Sequence, residues 1–163
     1  MGPGILVKAM LQGSFSLMVF GWAQIVMDIQ PLAVMLIGAG QLHGFSHTYV
    51  GATLLAVISG LTGKYLAEFG LKLLRIDEDG APIAIKWKIV FISSFTGTYS
   101  HVFLDAIMHS DVEPYFPWSD ENGLLGLMSI SMLHQLCIVS ALIGALLYYS
   151  IEYWRKKHKQ NTL

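Results

Sequence analysis

The stretch Ser100-His101-Val102-Phe103-Leu104-Asp105-Ala106-Ile107-Met108-His109-Ser110-Asp111-Val112-Glu113 begins inside an apolar run and ends in a polar loop. His101, Asp105 and His109 follow one another at steps of four residues. On a helix each such step turns only about 40°, so the three share one face. Asp111 and Glu113 come just past the expected helix end. Imidazoles and carboxylates directed to one side are ordinary donors for a divalent cation. Any one of them alone reads more simply as a satisfied polar group in a bundle core. The cluster does not, because unpaired carboxylates are costly to bury in apolar surroundings.

The chain around this stretch is apolar. Of its 163 residues 54% are hydrophobic and 13% charged, with a mean hydropathy of +0.56. A soluble domain carries about 25% charged residues. The composition predicts one all-α domain, a polytopic membrane protein with four transmembrane helices in a bundle. The expected spans are about 9–29, 48–74, 84–109 and 124–151. Residues 32–40 are apolar but too short for a span, which needs about 20 residues, and read as a re-entrant or loop segment. Residues 75–82 read as a polar turn and 152–163 as a basic, frayed tail. Tyr115, Phe116 and Trp118, in the 110–123 loop, suit the membrane interface. The single cysteine, Cys137, lies in an apolar run, which leaves no disulfide framework and no cysteine metal site. The first apolar segment lacks a clear cleavage site and is expected to be retained.

All ten Lys and Arg fall in three places: Lys8; Lys64, Lys72, Arg75, Lys86 and Lys88; and Arg155, Lys156, Lys157 and Lys159. With four spans these places share one side, which the positive-inside rule makes cytoplasmic. The expected location is a bacterial inner membrane with the C-terminus in the cytoplasm. The loops carrying His43–His47 and 109–123 then meet at the outer face, together with the outer end of the first span and its Asp28.

Two His spaced as His43 and His47 can chelate one metal, although the spacing is equally compatible with a structural pair. Asp28 is rarer, since an intramembrane carboxylate is a functional candidate whose partner is a His or a metal. Gln24, one turn earlier, reads as a helix–helix hydrogen bond before it reads as support for the site. His134 reads as structural, with the floor of the site as its alternative, and His158 as solvated. Glu68 with Lys64 and Lys72 makes helix-surface pairs, and Asp120 and Glu121 frame the pocket.

His43-Gly-Phe-Ser-His47-Thr, followed by Tyr-Ser-His101-Val-Phe-Leu-Asp105, resembles the motifs of the YdjM-like (LexA-regulated) family of membrane-bound metal-dependent hydrolases. The resemblance covers about residues 20 to 125 and implies metal-site roles for His43, His47, His101 and Asp105. Asp28 matches the first aspartate of that family's D-x-D-H pattern. Gln30 and Pro31 stand at its later positions, and Gly44 stands where an Arg is usual. One ion or two is left open. The family is similar in outline to zinc-dependent phospholipase C.

The expectation is therefore a metal-dependent hydrolase at the outer face, with Asp28, His43, His47, His101 and Asp105 around the ion. His109, Asp111 and Glu113 are candidates for a second ion or for acid–base work, with Asp111 or Glu113 as the general base. The mixed nitrogen and oxygen donors suit zinc first, then manganese or iron. The expected partners are membrane lipids and a small-molecule or lipid substrate, a phosphoester or lipid head group being the most natural; no nucleic acid is expected. The alternative is a metal-ion-binding transporter or channel, which needs polar groups continuing below His101, where Ser93, Ser94, Thr96, Thr98 and His134 occur. The carboxylates among the histidines argue against a bis-histidine haem.

Overall fold

Serine and threonine caps, a glycine stop and long apolar runs divide the chain into six α-helices among the described residues. They are seen in a computed structural model that describes residues 2–74 and 84–160. The helices are α1 (Gly2–Leu11), α2 (Leu17–Met27), α3 (Ile29–Ile37), α4 (Tyr49–Leu73), α5 (Trp87–Met108) and α6 (Ile130–Gln160). Short 3-10 turns lie at Gln12–Ser14 and Phe45–His47. The expected polar turn at 75–82 lies outside the described residues.

Helices α2, α4 and α5 pack against one another and hold the core. Met27, Ala52 and Val102 form a fully buried cluster near one end, and Val19, Ala67 and Val90 another near the opposite end. Small residues let the backbones approach. A Cβ at Gly97 would stand 2.8 Å from the Ala23 Cβ and 3.1 Å from the Phe20 carbonyl oxygen, so α2 and α5 cross here only because the position is glycine. Such close packing is what holds helices together where the surroundings are as apolar as the side chains. Ser59, Ser93, Ser94 and Thr98 are buried in this core, and each hydroxyl donates to a carbonyl of its own helix.

The pair α1 and α6 lies to one side. Gly2 sits against the Cys137 carbonyl and Gly144 against the Leu6 backbone, so the two helices run parallel. Gly4 meets the Phe20 ring, which places α1 between α6 and α2.

The first expected segment is divided. Gln12 has a positive φ of 48°, and the Lys8 ammonium donates to the Gln12 and Phe15 carbonyls at 2.7 and 2.8 Å. Ser16 then caps α2 by accepting from the Val19 amide. The chain thus reverses near its first lysine instead of continuing as one helix from 9 to 29. Of residues 32–40, expected as a re-entrant or loop segment, 32–37 are helical and belong to α3. Only Asp28 interrupts the path, and its carbonyl still accepts from the Leu32 amide at 3.0 Å. Pro31 falls in the first turn of α3, where a missing N–H costs nothing, and the helix stops at Gly38 with φ 74°. Helix α6 begins at Ile130 rather than near 124 and runs to Gln160, so the basic segment continues the helix over that range.

Among the described residues, three helical runs are long and apolar enough to cross a membrane: Leu17–Ile37, Tyr49–Leu73 and Ile130–His158. Apolar side chains such as Leu54, Ile58 and Leu61 on α4, and Ile138, Leu142 and Leu146 on α6, face outward, as in a helical membrane protein. Helix α5, although 22 residues long, is not one of these runs; it carries the buried hydroxyls together with His101 and Asp105.

Candidate metal centre

The site forms where the upper end of α2, the turn before α4 and the last turns of α5 meet. The turn is locked onto α4. The Thr48 hydroxyl accepts from the Gly51 amide at 2.9 Å and donates to the Phe45 carbonyl at 3.0 Å. A Cβ at Gly51 would stand 1.9 Å from that Phe45 oxygen, so the turn can lie this close only over glycine. The Ser46 amide donates to Gln30 Oε1 at 2.8 Å, and the Tyr49 amide to the Pro114 carbonyl at 2.9 Å. These contacts bury His47 completely.

On the α5 side, Gln24 organises His101. Its Nε2 donates to the Gly97 carbonyl at 2.8 Å, which turns its Oε1 towards His101 Nδ1 at 2.9 Å. His101 Nδ1 must therefore donate. In the neutral ring, Nε2 then carries a lone pair and faces two further acceptors, Asp105 Oδ2 at 3.1 Å and Asp28 Oδ1 at 3.2 Å. His47 repeats the arrangement: Nδ1 meets the Ser46 hydroxyl at 2.9 Å, and Nε2 faces Asp105 Oδ2 at 3.2 Å. That Nε2 is buried and makes no hydrogen bond. Acceptors facing one another at this range require a proton or a cation between them. Donors bound tetrahedrally at about 2.0–2.1 Å stand roughly 3.3 Å apart, close to these spacings.

A second group adjoins the first. His43 Nδ1 lies 2.9 and 3.0 Å from the two Asp111 oxygens. Its ring stacks on His109, with centroids 4.4 Å apart, and meets His47 edge-on at 4.9 Å. Among the described residues, three sets bring one donor atom from each member within 4.8 Å of the others: Asp28, His47 and His101; His43, His47 and Asp105; and His43, His109 and Asp111. The buried floor and open rim are distinct. The His47 side chain is 0% exposed and that of Asp105 15%, whereas Asp28 is 62% and Asp111 44% exposed. Partial burial works against the Asp111 carboxylate, but the hydrogen bond and charge of His43 outweigh it and hold the carboxyl below its usual range.

Seven of the residues expected from sequence thus come together: Asp28, His43, His47, His101, Asp105, His109 and Asp111. Glu113 is half-buried and outside the three sets. Asp120 and Glu121 are exposed, as is His134, which lies about one turn into α6 instead of deep below a helix beginning at 124. Gln24 is both a helix–helix bond and the support of His101. Sequence reasoning missed Ser46 and Gln30, which hold the turn, and Gln41, whose amide reaches the Asp111 carbonyl at 3.4 Å. It also missed Asn122, which ties the 110–129 loop to the Ala106 and His109 carbonyls. Only Ser46 had a signal, its place beside His47; the others depend on contacts between distant segments. No protein-family model, curated protein or solved structure matches the chain.

Proposed function

We propose that the chain is a membrane-bound metal-dependent hydrolase that holds a divalent cation between Asp28, His47, His101 and Asp105 and cleaves a phosphoester at the outer membrane face. One observation carries the reading: the buried, unbonded Nε2 of His47 and the lone pair of His101 converge on the same Asp105 oxygen. Two imidazoles and two carboxylates suit zinc, and also manganese or iron(II). A cation bound there supplies Lewis acidity and a nucleophile at neutral pH.

The chain's own residues do the remaining work. Gln24 and Ser46 hold the two inner rings, so their Nε2 atoms stay directed at Asp105. Asp28 and Asp111 form the rim through which a substrate enters. As the water oxygen bonds to phosphorus and the P–O ester bond breaks, the water proton leaves through the rim, to Glu113 or to solvent, while Asp111, held below its usual carboxylate range by His43, stays ionised beside the site. The departing alkoxide takes a proton from solvent at the rim. The motif resemblance described above supports this assignment. The outer-face placement rests on the positive-inside rule, with Lys8, Lys86 and Lys88 around one hollow at the opposite end. The transporter alternative is less well supported, because the buried hydroxyls below His101 are occupied by carbonyls of their own helices.

The test is a reconstitution. Detergent-purified protein is stripped with chelator, reloaded with zinc or manganese, and assayed on bis(p-nitrophenyl) phosphate and on phosphatidic acid in mixed micelles. Reloaded wild type should retain metal and release product, and His101→Ala should lose both. A reloaded wild type without metal, or a variant equal to it, overturns the reading.

A further inference from the structure

We propose that the centre holds two cations, the second between His43, His109 and Asp111, with Asp105 shared between them. This rests on the reading of Asp28, His47 and His101 as the first cation's donors. The two halves have the same make-up. His47 and His101 stand with the rim carboxylate Asp28, and His43 and His109 with the rim carboxylate Asp111.

Asp105 lies between the halves. Its Oδ2 faces His47 and His101, and one of its oxygens is also grouped with His43 and His47. A carboxylate has two oxygens, and only Oδ2 is engaged with the inner pair. The other is free to serve a neighbouring ion, as in a carboxylate bridge.

A bare ion pair accounts for His43 and Asp111 but not for His109. The His109 ring lies face to face with His43, with an interplanar angle of 25°, and its nitrogens make no hydrogen bond among the described residues. Face-to-face imidazoles gain little as two charged rings, whereas imidazoles beside a carboxylate are common partners of a transition metal. The charges also balance. Asp28, Asp105 and Asp111 bring three negative charges against the four of two dications, and a single hydroxide or phosphate oxygen completes the neutralisation.

The pairing narrows the substrate. Two adjacent cations stabilise the attacking and the leaving oxygen of an in-line displacement at phosphorus. A phosphate mono- or diester, already anionic, is the class such a site draws in.

Metal counting on the full chain decides the matter. Stripped protein saturated with zinc and freed of excess should hold two ions per chain, and the double variant His109→Ala, Asp111→Asn should hold one. Loaded with manganese(II), wild type should give an exchange-coupled paramagnetic spectrum, and the variant the six-line spectrum of an isolated ion. One ion in saturated wild type, with an uncoupled spectrum, overturns the second site while leaving the first cation and the hydrolase reading intact. No ion in wild type overturns both. The wild-type measurements stand even where the variant fails to fold.

Discussion

Gln24 decides which nitrogen of His101 faces the carboxylates. Its amide is fixed by the Gly97 carbonyl, so its oxygen can only accept from His101 Nδ1. Groups that orient a ligand ring in this way are worth about 10- to 100-fold in metal affinity. Gln24→Leu should weaken zinc binding by about that factor in a calorimetric titration, with helix content unchanged by circular dichroism. Unchanged affinity would mean that His101 is held by something else. At this scale the donors were legible in the sequence, because steps of four put His101, Asp105 and His109 on one helical face. Of the supporting amides only Gln24 stood out, one turn before Asp28. Gln30 and Asn122 act on residues that only the folded chain brings near, and neither has a local pattern.

Among the elements, the turn Phe45–His47 carries the most buried donor and depends on a single missing side chain. A Cβ at Gly51 would collide with the Phe45 carbonyl, a backbone atom that cannot step aside. Gly51→Ala should therefore shift the turn, draw His47 away from Asp105 and destabilise the protein by about 1–3 kcal/mol, the range of overpacked positions. Gly13→Ala is the matching control, since nothing lies within 4 Å of a Cβ there. A lower melting temperature and weaker metal binding for Gly51→Ala alone is the expected pattern; equal behaviour of the two variants would separate the turn from the site. Helices α4 and α5 were readable as long runs with clear ends, Thr48 before one and His109 after the other. The reversal between α1 and α2 was not, because it rests on the Lys8 ammonium reaching two carbonyls, which no apolar pattern announces. Helix α3 was misread for a physical reason: Pro31 looks like a stop but sits where a helix tolerates it.

For the molecule as a whole, the bundle's class followed from composition and charge placement, while the pairing of α6 with α1 did not. That pairing depends on Gly2 and Gly144, ordinary residues until the two helices meet. The orientation proposed above has a direct check. A reporter fused after Leu163 should read cytoplasmic, and one inserted at Gly123, in the loop beside the site, should read external. Both on one side would overturn the orientation and the outer-face site with it. The donors themselves come from α2, from the turn before α4 and from α5, three segments far apart along the chain. A cation that joins them fastens these segments to one another, and its binding energy adds to that of folding, by about 2.7 kcal/mol when free metal exceeds its dissociation constant a hundredfold. If the proposed cation is withheld, that contribution should be lost together with any activity: copies made without the ion should open more often and be degraded faster, so that the amount of protein would fall with the supply of metal.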